Sequence, residues 1–442
     1  MRSIVDGQVS IFSDSQADTS ILEELAKDYI VRGSEEPFHM CSHEEDSFLW
    51  SFPWGVLASD YVMDNPIEDN RCLGRDLKVG QSLFNPRMGQ EESVASVVRM
   101  MRAFGPAMLV AGCGTGKTLM GAEASLRLGK ATCVLVHKEF LADQWEEAFE
   151  MVCPGIRIGR LQRDRCDTGW THDVVIAMAQ SISNTRREYP PEFYRSFGLL
   201  IGDEVHRYAA DVWQTAVTKF PAVFRLGLTA TPYRGDGFWP VLEEHFGRHQ
   251  VKLIGERLTP LIYPIKTTAI SRLGLEEQSW LSNTQKRAKL LTELADNESR
   301  NEAIARNLKK ACDAGRKTLI ISERRSQLKW LGDRLTAYGI RDCGYYVGGK
   351  KMDALDEAAT KKVIFSTYQM AKEGLNIPDL DVLIMATPQA HIEQTVGRIL
   401  RQCEGKGRPT VLDFVDPEIG IFEGLWYSRL KEYKKFGYEI SK

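Results

Sequence analysis

Asp203, Glu204 and His206 fall within four residues in the stretch GDEVHR, directly after the apolar run FGLLI. Adjacent carboxylates beside an imidazole can hold a metal, run acid–base chemistry or cap a buried strand. Zinc would demand a further His or Cys at ligand spacing, as in HExxH, and none is near. A counterpart for the acids stands upstream: Ala111-Gly112-Cys113-Gly114-Thr115-Gly116-Lys117-Thr118 joins the apolar AMLV to the helix-like LMGAEASLRL. In such a strand–loop–helix the backbone of Gly112, Cys113, Gly114, Thr115 and Gly116 wraps a phosphate and the helix N-terminus adds partial positive charge. Lys117 then reaches the β- and γ-phosphates of ATP and the Thr118 hydroxyl ligates Mg²⁺. A site of this kind needs an acid at the end of a neighbouring strand for the metal and a second group for the attacking water. Asp203 is the metal-side carboxylate in this reading, and Glu204 the base. Ala111 stands where the simplest form of the motif has glycine, but the Gly-Lys-Thr end is intact.

Elements able to position these groups are visible in the hydropathy pattern. From about residue 106, AMLVA, TCVLVH, DVVIAM, GLLIGD and FRLGLTA alternate with helical segments; TLIIS, CGYYVG, KVIFST, VLIMAT and TVLDFV repeat the arrangement. Short aliphatic runs separated by helices predict buried parallel strands, hence an α/β fold with two doubly wound domains in tandem. The predicted boundaries are an acidic N-terminal accessory domain at 1–84, a first lobe at 85–271, a helical bridge at 272–299 and a second lobe at 300–442. At 442 residues the chain is long enough for two to four domains of roughly 100–200 residues. FLWSFPWGVL, in the N-terminal part, reads as a strand pair or a hydrophobic docking edge.

Charge and cysteines narrow the class. The net charge is −3, but residues 1–80 carry −10 and the remainder +7, so an acidic front piece joins a mildly basic body. That piece is a solvated surface or one that docks a protein partner. Nine scattered cysteines without a CxxC pair argue against a disulfide framework or a zinc ribbon and read as reduced thiols. No run approaches the roughly 18 apolar residues of a membrane span, and no secretion signal opens the chain, so a cytoplasmic location is expected.

From about residue 85 onward the ordered motifs resemble superfamily 2 helicases and translocases, in the DEVH/DExH branch that includes XPB-like, RadD-like and UvsW-like enzymes. Arg87-Met88-Gly89-Gln90 is similar to the adenine-reading Q element, AGCGTGKT to motif I and HKEFLADQW to motif Ia, whose end lies against the nucleic-acid backbone. Ala177-Met178-Ala179-Gln180-Ser181 resembles a strand-contacting element with Ala177 in place of threonine. DEVH matches motif II, and Leu228 to Arg234 (LTATPYR) motif III. Ile320 to Arg324 stands at motif IV; Thr367 with Glu373-Gly374-Leu375-Asn376-Ile377-Pro378 resembles motif V, with Asn376 replacing aspartate. QTVGRILR from Gln394 matches motif VI, QxxGRxxR. The resemblance implies two RecA-like lobes and a contact of Arg87, Gln90, Gly374 and Asn376 with nucleotide. It makes Arg398 and Arg401 catalytic arginines; three apart on a helix, they share a face. It also implies a coupling role for His206, Thr229, Thr231 and Gln394, and backbone contacts from Lys138, Gln180, Ser181, Arg234, Arg324 and Thr367.

The expected function is an ATP-dependent, Mg²⁺-requiring DNA helicase that unwinds or branch-migrates forked and junction DNA in replication, recombination or repair, in a bacterial or phage-infected cell. The wording LADQW, LTATPYRGDG and EGLNIP favours DNA over RNA. The alternatives are a duplex translocase without strand separation, an RNA helicase, and a nucleotide-gated module that recruits partners through its acidic region. Phe238-Trp239 reads as core sooner than as a strand-separating wedge, and WYSRLKEYKKFGYEI as a last helix packed on the second lobe. Polarity, preferred DNA structure and oligomeric state are not legible in these residues.

Overall fold

The computed structural model describes residues 2–6, 8–13, 16–32, 37–44, 49–53, 57, 66–77, 80–87, 89–112, 114–162, 165–167, 171–184, 186–207, 210–230, 239–253, 258–271, 282–373, 377, 379–390, 392–400 and 406–441. The chain divides into two compact units, Met1–Gly255 and Glu256–Lys442.

The first unit opens with a five-stranded sheet in the order β5-β6-β2-β1-β7, from β1 (Arg2–Val5), β2 (Val9–Phe12), β5 (Ser42–Glu44), β6 (Leu49–Phe52) and β7 (Ile67–Asp69). β3 (Ile30–Arg32) and β4 (Pro37–His39) form a separate antiparallel ribbon, and α1 (Gln16–Lys27) lies between β2 and β3 in the chain. Val5, Val9, Ile11, Leu22, Trp50 and Phe52 make its small core. The LWSF part of the aromatic run is therefore a strand, antiparallel to both β2 and β5. Gln214 donates to the Met40 carbonyl at 2.9 Å, and Met40 packs with Val241 and Tyr29, which fixes this sheet to the helices that follow motifs II and III.

The main sheet of the first unit has the order β11-β10-β12-β9-β13-β14-β8-β15. Its strands are β8 (Pro106–Val110), β9 (Thr132–Val136), β10 (Ile158–Gln162), β11 (Arg165–Cys166), β12 (Val174–Met178), β13 (Leu199–Gly202), β14 (Phe224–Thr229) and β15 (Gln250–Lys252). Every neighbouring pair is parallel except the β10–β11 hairpin at one edge. The helices α2 (Gln90–Phe104), α3 (Lys117–Leu128), α4 (Glu139–Val152), α5 (Ala179–Ser183), α6 (Pro191–Arg195), α7 (Ala210–Thr218) and α8 (Trp239–Phe246) follow in chain order. Two cores, one on each face, show why the strands read as continuous apolar runs. Trp239 belongs to α8 and packs against the second of these cores; Phe238 lies outside the described residues.

The second unit is a seven-stranded, all-parallel sheet, β18-β19-β17-β20-β21-β16-β22. It comprises β16 (Leu261–Lys266), β17 (Thr318–Ser322), β18 (Cys343–Tyr346), β19 (Val363–Thr367), β20 (Val382–Met385), β21 (Thr410–Val415) and β22 (Glu439–Ile440). Its helices are α9 (Asn283–Asp296), α10 (Glu298–Asp313), α11 (Arg325–Ala337), α12 (Met352–Thr360), α13 (Tyr368–Glu373), α14 (Glu393–Gly397) and α15 (Gly420–Lys435). The expected lobe boundary at 271 is displaced, because β16 pairs with β21 and so belongs to this sheet. Pro264 disguised that strand. β22 pairs only with Leu261 and Ile262, so Pro264 sits where that side of the strand is an open edge and its missing N–H breaks no ladder. The expected bridge is likewise part of this unit: α9 packs Leu290, Leu291 and Leu294 against Ile419 and Phe422 of the last helix.

Arg300 and Asp416, both fully buried, form a bidentate pair at 2.7 and 3.0 Å, and Arg300 also donates to the Ala386 carbonyl. Arg300→Met leaves Asp416 buried without its countercharge and is expected to destabilise the second unit by roughly 3–5 kcal/mol, with Asp416→Leu in the same chain recovering part of the loss. Urea unfolding of the single and double variants checks this.

Candidate functional site

β8 delivers Ala111 to the carboxyl end of the main sheet, where its N–H donates to the Thr229 carbonyl at the end of β14. The loop then turns through Gly114 (φ 79°) and Gly116 (φ 82°), conformations that a side chain resists, and α3 begins at Lys117. Thr115 closes the loop by donating its hydroxyl to the Gly112 carbonyl at 2.7 Å. The Lys117 ammonium is buried, bonded to the Ala111 and Gly112 carbonyls at 3.0 and 3.4 Å and 3.6 Å from the Glu204 carboxylate. Gln90, also buried, bridges the two nucleotide-facing segments: its Oε1 accepts from Arg87 N–H at 2.8 Å and its Nε2 donates to the Thr115 carbonyl at 2.7 Å. Its amide joins the Arg87 turn to the phosphate loop.

β13 sets Asp203 and Glu204 at the same end. Asp203 N–H donates to the Leu135 carbonyl, and Glu204 adopts φ 49°, the one left-handed non-glycine residue among those described. Such a conformation costs of order 1 kcal/mol or more and collects at working sites; here it accompanies a carboxylate within ion-pair range of Lys117. His206 sits in a short 3₁₀ turn, its Nδ1 2.9 Å from the Thr229 hydroxyl and 3.4 Å from the other Glu204 oxygen. Motifs II and III thus meet through His206 and Thr229. Burial, with the neighbouring Glu204 charge next, pushes Asp203 up to about 6; the hydrogen bond from Trp145 and the charge of Lys117 oppose the shift.

Trp145 is the residue that pattern reading misplaced. As the end of motif Ia it was expected against a nucleic-acid backbone. It is fully buried instead, and its indole N–H donates to Asp203 Oδ2 at 2.9 Å. The other strand-contact candidates of this unit lie at the carboxyl edge of the sheet, where open α/β sheets bind ligands. Lys138 precedes α4, and Gln180 is exposed at the start of α5 with its Nε2 3.3 Å from the His137 carbonyl; Ser181 is next to it. Thr118 is partly exposed in the first turn of α3. Cys113, Thr231 and Arg234 lie outside the described residues.

In the second unit, the Arg324 guanidinium donates to the Ala288 carbonyl and the Thr292 hydroxyl of α9. Thr367 ends β19, partly buried. Arg398 follows α14 directly and is partly exposed; Gln394 lies within α14, its side chain outside the described set, as are Gly374, Asn376 and Arg401. What holds this segment was not foreseen. The carbonyls of Thr387 and Gln389 accept from the Tyr368 hydroxyl and from Arg429, and Ile392 N–H donates to Glu432 at 3.0 Å. Arg429 is itself fixed by buried Asp413, which Tyr433 also bonds. The final helix was expected as packing; its polar side chains at 429 and 432 mount the approach to Arg398.

Among the described residues no helix is long and apolar enough to cross a membrane. Residues 83–234 match the family model of the type III restriction enzyme res subunit. The chain is 30% identical over 351 residues to L396 of Acanthamoeba polyphaga mimivirus, named as an ATP-dependent RNA helicase, with 78% of this chain and 67% of that one covered. It is 24% identical over 445 residues to QP509L of African swine fever virus, also named as an ATP-dependent RNA helicase, covering 92% and 85%. The solved helicase domain of Hef from Pyrococcus furiosus shares the fold, at 16% identity and TM-score 0.50 over 78% of this chain and 98% of that one.

The Asp203 shift has a signed consequence. Its folded value lies above the 3.8 of a free carboxyl, so stability falls as pH rises through about 4 to 6 and the cost is fully present above that window. Asp203→Asn is therefore expected to melt higher than the parent at pH 7, by a stabilisation of roughly 2–3 kcal/mol, and to show little difference near pH 4. Thermal melts of nucleotide-free protein across that range check it.

Proposed function

The chain belongs to the superfamily 2 helicases, and we propose that it is an ATP-driven DNA helicase that translocates on forked or junction DNA and unwinds or branch-migrates it. The observation that carries the reading is the meeting of Lys117, Asp203 and Glu204 at the carboxyl edge of one parallel sheet. These residues fit a magnesium-bound triphosphate. A buried acid beside a second carboxylate, with its pKa pushed up, is stabilised by an incoming cation, and the glycine loop offers backbone donors beside it. Among the described residues no three His, Cys, Asp or Glu are placed to hold a metal ion by themselves, so Mg²⁺ here would lean on phosphate oxygens and water, its usual habit.

In this reading Gly112, Cys113, Gly114, Thr115 and Gly116 cradle the phosphates, and Lys117 exchanges its carbonyl partners for phosphate oxygens. Thr118 and Asp203 hold the metal, which supplies charge neutralisation when bound. Glu204 accepts the proton of the attacking water. Arg87, Gln90, Gly374 and Asn376 serve the nucleotide, and Arg398 and Arg401 are the catalytic arginines. His206 and Thr229, already bonded, are the first link by which phosphate loss reaches motif III, which continues through Thr231; Gln394 is the counterpart in motif VI. Lys138, Gln180, Ser181, Arg234 and Thr367 touch the nucleic-acid backbone, where hydroxyls, amides and local charge suffice. The wording of LADQW, LTATPYRGDG and EGLNIP supports DNA. An RNA helicase is the second reading, favoured by the names of the viral relatives.

ATPase stimulation and strand release compared on single strands, forks, four-way junctions and RNA decide between them; stimulation by RNA alone overturns the DNA reading. Lys117→Ala is expected to abolish ATP use, whereas Glu204→Gln keeps nucleotide binding and slows hydrolysis by roughly 10²–10⁴-fold. Normal turnover in Glu204→Gln removes Glu204 as the base.

A further inference from the structure

We propose that Trp145 is the positioning residue for Asp203, tying the orientation of the metal-side carboxylate to helix α4 and to the phosphate-loop helix α3; this rests on the reading of Asp203 given above. The indole N–H donates to Oδ2 at 2.9 Å with both residues buried, so one of the two carboxylate oxygens is fixed by a neutral donor that cannot itself compete for phosphate or metal. Burial alone does not require such a bond: Trp50 is also buried, at 6% exposure against 0% for Trp145, and its indole N–H has no hydrogen-bond partner among the described residues. The Glu204 backbone also bonds Asp203, from the strand side.

The opposite edge of the same indole is set by Gly121. A Cβ on that residue would lie 2.7 Å from Trp145 Cη2 and 3.0 Å from Leu228 Cδ1. Glycine inside a helix costs about 1 kcal/mol against alanine, and Gly121 lies within α3 without a positive φ, so close approach is what the position requires. The indole therefore meets the helix that begins with Lys117 at one edge and the carboxylate of Asp203 at the other, while Leu228 of the strand that ends in Thr229 closes the same space beside Gly121. Its own helix, α4, starts beside Lys138. A shift of α4 of a few tenths of an ångström is passed to the carboxylate through a rigid ring and one hydrogen bond.

The test measures binding of a fluorescent ATP analogue as Mg²⁺ is titrated, with turnover and melting recorded alongside. Trp145→Phe keeps an apolar ring and removes the donor. It is expected to raise the Mg²⁺ needed for half-maximal binding by about tenfold, in line with the loss of other groups that orient metal ligands. Mg²⁺-free nucleotide binding is expected to stay unchanged, and kcat to fall more than KM rises. Gly121→Ala, which improves helix propensity yet pushes the indole, is expected to shift the Mg²⁺ requirement in the same direction. A folded Trp145→Phe protein with the parent's Mg²⁺ requirement overturns the proposal; should that variant not fold, an unchanged requirement in Gly121→Ala overturns it. Asp203→Asn separates the two levels: if it too leaves the requirement unchanged, the reading of Asp203 is what fails.

Discussion

Two adjacent carboxylates can be kept at the end of a buried strand only if fixed donors and a cation surround them. Asp203 and Glu204 meet this condition through an indole, a backbone amide and the Lys117 ammonium. The constraint reaches outward. Lys117 is in range because two left-handed glycines fold the loop before α3 back over the sheet edge, and Glu204 is in range at φ 49°. Trp145 is in range because Gly121 lets α3 and α4 approach. The strained backbone and the destabilised charge lie in consecutive residues, the expected signature of a site that holds energy against a ligand.

The second unit solves a comparable problem with opposite signs. There, the chain leaves a strand end at Ala386, whose N–H still pairs with the Ile321 carbonyl, and runs on towards Ile392 and Arg398. Side chains take the place of a ladder: Arg300, Tyr368 and Arg429 donate to its carbonyls, and Glu432 accepts an amide. Two of these cations are anchored by buried aspartates, Asp413 within β21 and Asp416 just beyond it. Four such contacts hold the segment that leads to Arg398.

The ten aliphatic runs and the motif order were legible because buried parallel strands need unbroken apolar residues and phosphate loops need glycine. β10, β15, β16 and β22 were not: β10 carries Arg160, whose charge is answered by Asp143 and Glu146, β16 carries Pro264, and β15 and β22 are three and two residues long. Within the site, Lys117, Asp203 and Glu204 could be picked out by residue type. Trp145 could not be given its role, since an aromatic at the end of a motif looks the same whether it faces a strand or a carboxylate. Glu432 and Arg429 were hidden for a like reason: charged positions on an otherwise amphipathic last helix read as solvent-facing until the fold turns them inward.

The acidic front piece falls between these cases. Its charge suggested either a solvated surface or a docking arm, yet its sheet carries a core of its own and is fastened to α7 and α8 by Gln214 and the Met40–Val241 contact. The connecting strip is fastened too: Cys72, Arg75 and Leu77 exchange backbone hydrogen bonds with Pro221, Val223, Ser196, Ala131 and Gly129 at the amino end of the main sheet. The catalytic loops occupy the carboxyl end. The connecting strip is thus tied to the end of the sheet opposite the phosphate loop, and exposed charges separated by more than a Debye length of about 8–10 Å interact weakly.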